Sequence, residues 1–182
     1  EPTDRLSMRF LYSHEKSNPR DSSLISPELG DRVKLSDRPD LYQGKLTNLN
    51  ATVNYDLDWA TLTSSSTYTT YDQKFYIDLA GTFGQTIPFA LDADAYDDIF
   101  TQEMRLASVD GGDWDWVVGG FYFTKRRDVD LNYRSSQEFL DARGLTGLPD
   151  EYYQHAYNYG RANELAGFGE LTYHVNDKLR LI

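Results

Sequence analysis

The feature that most constrains this chain is a period of two that recurs along its length, interrupted by joints that are alternately very short and very long. From Leu49 to Leu57, LNATVNYDL sets Leu49, Ala51, Val53, Tyr55 and Leu57 on one side and Asn50, Thr52, Asn54 and Asp56 on the other. Arg5 to Tyr12 sets Leu6, Met8, Phe10 and Tyr12 against Arg5, Ser7 and Arg9, with Leu11 the exception. Phe100, Met104 and Leu106 share a face opposite Glu103 and Arg105. Successive side chains of a strand point to opposite faces, so these are strands with one apolar and one polar side. Helical spacing is confined to SQEFLDARGL, residues 136–145, with Gly144 as its stop.

The joints carry the topology. Asp56-Leu57-Asp58 separates strands expected at 45–57 and 59–76, Asp110-Gly111-Gly112-Asp113 separates 99–109 from 114–134, and Asn176-Asp177-Lys178 separates 161–175 from a strand starting at Leu179. Asp, Asn and Gly suit tight hairpins, where φ must often be positive. Between them lie long polar connections at 17–44, 77–98 and 135–160. In an antiparallel meander successive joints fall at opposite ends, so one end carries only turns and the other only loops. Transmembrane barrels of the outer-membrane type sort their joints this way, whereas long structureless loops count against a compact soluble domain. The expected fold is all-β: an antiparallel up-and-down meander of about six to seven strands, part of a large transmembrane β-barrel.

Strand and apolar lengths agree. Residues 114–134 extended would span roughly 65 Å at ~3.3 Å per residue, more than the about 11 residues a tilted strand needs to cross a bilayer. The excess, ending in KRRDVDLNYR, suits a projecting outer rim. The longest apolar run, Trp116 to Phe123, is far short of the roughly 20 residues of a spanning helix. Trp59, Trp114 and Trp116 follow tight turns at one end of their strands. That is where a barrel places its interfacial aromatic girdle, although cross-strand packing in a hairpin also accounts for them.

Composition removes several functions. A net charge of −11 argues against a general nucleic-acid binder. Cysteine is absent, which excludes disulfides and thiolate metal sites. His14, His155 and His174 lack ligand spacing, and no nucleophile elbow or phosphate loop is present. No catalytic, metal or cofactor site is expected. Asp92, Asp94, Asp97 and Asp98 read as a solvated acidic loop rather than a cation site, lacking the spaced Gly and terminal Glu of a calcium loop. Gly119 and Gly120 read as a kink or a close backbone approach. Tyr is abundant at 14 residues. Tyr96 in the second long connection and Tyr152, Tyr153, Tyr157 and Tyr159 in the third are the candidate ligand contacts, with a wet aromatic collar as the plainer reading.

The stretch FTQEMRLASVDGGDWDWVVGGFYF resembles a recurring hairpin of TonB-dependent outer-membrane receptors. Phe100, Gln102, Glu103, Arg105, Leu106 and Ser108 match its first strand, and Trp116, Gly119, Gly120, Phe121 and Tyr122 its second. Residues 50–72 and 164–182 are similar to other hairpins of that family. The resemblance implies that residues 1–182 form barrel wall only, with a plug domain, the TonB-contacting segment and the remaining strands outside it. It implies a non-enzymatic transporter in the outer membrane of a Gram-negative bacterium, partnered by the TonB energy-transducing complex through that missing N-terminal region. The implied cargo is a scarce ligand such as a ferric siderophore, cobalamin or a glycan, and Glu103 and Arg105 would face the plug as a charge pair. Open sheet edges would make such a segment self-associate. A soluble all-β carbohydrate-binding module, whose apolar faces meet in a core, and a passive porin-like barrel remain as alternatives.

Overall fold

The computed structural model describes residues 4–21, 24–36, 38–79, 90–109, 112–148, 151–176 and 179–182. Seven strands follow one another in a single antiparallel sheet, in the spatial order of the sequence. They are β1 (Leu6–Ser17), β2 (Leu41–Asp56), β3 (Ala60–Asp78), β4 (Ala90–Ser108), β5 (Trp114–Arg134), β6 (Tyr152–Asn176) and the short β7 (Leu179–Leu181). Each strand pairs only with its chain neighbours, which is an up-and-down meander.

Turn chemistry closes one end. Between β2 and β3 the Leu57 N–H donates to the Ala60 carbonyl at 2.9 Å. The Asp58 N–H donates to the Asp56 carboxylate at 2.8 Å, and Asp58 takes φ +70°, a left-handed conformation that Asp tolerates better than most residues. The expected turns at Asp110-Gly111 and Asp177-Lys178 lie outside the described residues. The longer joints gather at the other end. There a short helix, α1 (Gln137–Ala142), is capped by Ser136, whose hydroxyl accepts from the Phe139 N–H at 3.3 Å. Gly144 at φ +73° ends it, at the stop expected from sequence. An ion pair from Arg38 to Glu151, at 3.2 Å, ties the first long connection to the third.

The strands are longer than the sequence patterns indicate. β4 starts at Ala90, not 99, and β6 at Tyr152, not 161, so the long connections shrink to 18–40, 79–89 and 135–151. The acidic stretch from Asp92 to Asp98 is therefore strand and not loop. Its neighbour explains this: β5 runs 21 residues, and its loop-end half satisfies its backbone only if β4 and β6 rise beside it.

Among its described residues the sheet encloses no core. Among the described residues the buried apolar side chains are Ala60, Ala90, Ala93, Ala95 and Leu140. Large apolar residues lie open instead, Phe10 at 75% and Leu165 at 82% exposure.

Candidate functional site

Residues paired across neighbouring strands share a face, so the register assigns every side chain to one side. Leu6, Met8, Phe10 and Tyr12 stand opposite Tyr55, Val53, Ala51 and Leu49. These in turn face Leu62, Ser64, Ser66 and Tyr68, which face Leu106, Met104, Gln102 and Phe100. The band continues through Val118 and Tyr122 on β5 to Leu165 on β6. One face thus carries an apolar band across the turn-end half of the sheet. Its polar members satisfy one another: Gln102 Nε2 donates to the Ser64 hydroxyl at 2.9 Å and the Glu103 carbonyl at 3.0 Å, and the Ser66 hydroxyl donates to Gln102 Oε1.

Behind that band the second face is polar on β1–β3. Asn48, Asn50 and Asn54 ladder to Thr69, Thr67 and Thr63 at 2.8–3.0 Å. On β5 and β6 it becomes aromatic, with Phe121, Phe123 and Phe168. Glu103 and Arg105 also lie on this face, but among the described residues no ion pair joins them.

Toward the loop end the two faces exchange character. The face that held the apolar band now carries a charged lattice: Lys74–Asp94 at 2.8 Å, Arg126–Asp128 at 2.9 Å and Arg134–Asp92, with a hydrogen bond between His155 and Asp130 at 2.7 Å beside it. Tyr157 donates to Asp128 at 2.9 Å and holds that carboxylate below its ordinary range, with Arg126 assisting. The second face now carries Tyr42, Tyr71, Phe75, Leu91, Val129, Leu131 and Tyr133. It is the sheltered side, since Ala93 and Asp97 on it are 3% and 7% exposed. Tyr42 and Tyr71 join hydroxyls at 2.7 Å, and that bond pushes the Tyr71 pKa up to about 12. Asp97 sits beside them, 3.1 Å from Lys125 and 3.8 Å from Arg127.

The sequence candidates divide accordingly. Tyr96, Tyr157 and Tyr159 are on strands β4 and β6, not in loops, and all point to the charged-lattice face. Tyr96 and Tyr157 meet at a hollow of about 300 Å³ with Asp94, Asp128 and Asp130. Tyr152 opens β6 beside Arg134, whose guanidinium lies 4.1 Å from its ring. The Tyr153 side chain lies outside the described residues. Asp92, Asp94 and Asp98 split from Asp97 onto opposite faces, and among the described residues no group of acids and histidines is placed to hold a metal. Trp59, Trp114 and Trp116 gather at the turn end, Trp59 6.2 Å from Trp116 and Trp114 4.4 Å from Tyr173, so cross-strand packing holds them. Sequence reasoning missed Tyr42, Tyr71 and Tyr133. The alternation of apolar Leu91, Ala93 and Ala95 with Asp92 and Asp94 was the available signal.

An uninterrupted antiparallel meander of long strands, turns at one end, loops at the other and no core is a section of the wall of a large β-barrel. Among solved structures it is similar to the ferric yersiniabactin uptake receptor FyuA from Yersinia pestis, with a TM-score of 0.74 and 17% identity over 95% of this chain and 25% of that one. The chain thus spans a quarter of the length of the receptor it matches, and the likeness is one of fold. No family model matches the chain, and no curated protein does.

Proposed function

We propose that this chain is a wall segment of a TonB-dependent receptor in the outer membrane of a Gram-negative bacterium, serving active uptake of a scarce ligand such as a ferric siderophore. The observation that carries this reading is the register-aligned apolar band on one face of a coreless sheet. Such a band needs a nonaqueous surround, and lipid supplies it. A soluble binding module would turn Leu49, Val53 and Tyr55 into a core, and Leu49 and Tyr55 are exposed.

Phe121, Phe123 and Phe168 on the opposite face favour a receptor over a porin. Aromatic rings on a lumen wall at the level of the band fit an interior filled by protein better than one filled by water. In the receptor a plug would fill that space, with its TonB contact outside this chain. Trp59, Trp114 and Trp116 then mark the periplasmic interface.

The inward residues of the loop-end half would form the ligand chamber, with Tyr42, Tyr71, Phe75 and Tyr133 on its wall. Tyr96, Tyr157 and Tyr159 would form the wet outer collar. The test is uptake of radiolabelled ferric siderophores by cells carrying the whole protein as their sole such receptor. Uptake lost on deleting TonB is the expected result, and uptake indifferent to TonB overturns the proposal.

A further inference from the structure

Two stretches of the first long connection fold back on each other. Ser26 is buried; its N–H donates to the Val33 carbonyl at 2.7 Å, and its hydroxyl accepts from the Leu35 N–H at 3.1 Å. A 3-10 turn at Pro27–Leu29 joins the two stretches. The base of this fold is pinned to the sheet. Asp40 is paired with Lys34, both side chains largely buried, and it accepts the Asp78 N–H from the end of β3 at 3.0 Å. The connection is thus a built structure, packed by its own side chains.

It borders a hollow of about 440 Å³, a size ordinary for small-molecule sites. Leu24, Ile25 and Pro39 form the apolar side of that hollow. Among the charged groups on its other side, Lys34 and Asp40 neutralise each other, and Asp21 is engaged within the chain. Arg32 differs: among the described residues it forms no ion pair and no hydrogen bond. Its backbone takes φ +61°, a left-handed conformation that is costly for a residue with a Cβ. Gly or Asn would hold that turn at less cost, and Arg adds a guanidinium. One unengaged cation beside an apolar wall selects its occupant. The guanidinium fork matches a carboxylate with two parallel hydrogen bonds, and its single charge suits a carboxylate better than a phosphate dianion. A bare anion would leave Leu24, Ile25 and Pro39 in water, and a neutral apolar molecule would leave the guanidinium without a counter-charge. A carboxylate on an apolar body uses both sides.

We propose that the hollow in the first connection binds an apolar carboxylate, with Arg32 on the carboxylate and Leu24, Ile25 and Pro39 against the apolar body. The site shares no residue with the ligand chamber of the inward face, and its occupancy needs no TonB. The experiment is equilibrium dialysis of the whole protein in phosphatidylcholine nanodiscs against radiolabelled octanoate or radiolabelled naphthoate, read as binding above that of empty discs. Saturable binding of one acid per protein is the expected result; preference for octanoate assigns an alkyl body, and preference for naphthoate an aromatic one. Arg32→Gly suits the left-handed turn, so it should unfold in urea no earlier than wild type while binding the acid about tenfold or more weakly, the worth of a charge-assisted hydrogen bond. Arg126→Ala, which removes a cation of the outward lattice, should leave binding unchanged. Undiminished binding by Arg32→Gly overturns the site, as does equal binding of octanol and naphthol. Displacement of the acid by equimolar acetate also overturns it, by assigning Arg32 to bare anions. Absence of saturable binding by either acid overturns it too, and because binding is read without TonB, that failure leaves the uptake reading standing.

Discussion

The ring of Phe168 on β6 lies directly across Gly119 on β5. A Cβ added at Gly119 would stand 2.7 Å from Phe168 Cε2 and 2.7 Å from the Met104 carbonyl. Its neighbour Gly120 faces the other side, where an added Cβ would meet only the Ala166 carbonyl, at 3.7 Å. Gly119→Ala should therefore cost about 1–3 kcal/mol through overpacking, and Gly120→Ala much less. Urea unfolding of the whole protein in lipid vesicles measures both. Equal effects at the two glycines would contradict the described contact.

The polar island in the apolar band should behave as a unit. Gln102→Ala leaves the Ser64 and Ser66 hydroxyls without partners in a lipid-facing surface, a loss of about 1–3 kcal/mol. Removing all three groups together, with Ser64→Ala and Ser66→Ala, should restore most of that loss, because no unsatisfied group remains. A double-mutant cycle on unfolding free energies checks it, and strict additivity would refute the coupling.

Charge insertion should discriminate adjacent residues of β2. Val53 and Thr52 are neighbours on opposite faces. Val53→Arg on the lipid side should destabilise by about 2–4 kcal/mol, the cost of arginine near the bilayer midplane. Thr52→Arg, facing the polar interior, should cost clearly less. The same unfolding assay decides, and a reversed order would turn the sheet inside out.

The charged lattice predicts a pH effect of definite sign. Tyr157 donates to Asp128, whose pKa is lowered from 3.8. A carboxyl depressed in the folded state adds stability above its unfolded pKa and loses it as pH falls through the folded one. Tyr157→Phe should therefore destabilise at neutral pH, and the difference from wild type should fade below the usual carboxylate range. Unfolding midpoints followed from about pH 6 down to about pH 2 give the test. A difference that grows on acidification would refute the assigned bond.

The apolar band was legible because its strands alternate cleanly: Leu49 to Leu57 and Arg5 to Tyr12 announce both their period and their face. The helix from Gln137 was legible through its spacing and through Gly144 as its stop; that Ser136 caps it came only with the structure. The loop-end half of the sheet was not. Residues 90–98 and 152–160 are acidic or tyrosine-rich, a composition that loops share, and single-strand periodicity is weak where both faces are partly polar. What makes them strands is their pairing with β5, a relation between distant segments that a local reading does not see. The inward tyrosines were missed for the same reason: which face Tyr42 or Tyr71 occupies follows only from register.

The account rests on which side of the sheet meets lipid, and β2 allows that to be measured directly. Residues 1–182 contain no cysteine, so single cysteines at positions 49 to 55 of the whole protein, each carrying a nitroxide and with any cysteine elsewhere replaced, report without background in lipid vesicles. The account predicts a period of two: labels at 49, 51, 53 and 55 relaxed by oxygen dissolved in the bilayer, and labels at 50, 52 and 54 shielded from it. Labels at 49, 51, 53 and 55 that are sheltered from oxygen, or relaxed instead by a water-soluble nickel complex, would contradict it.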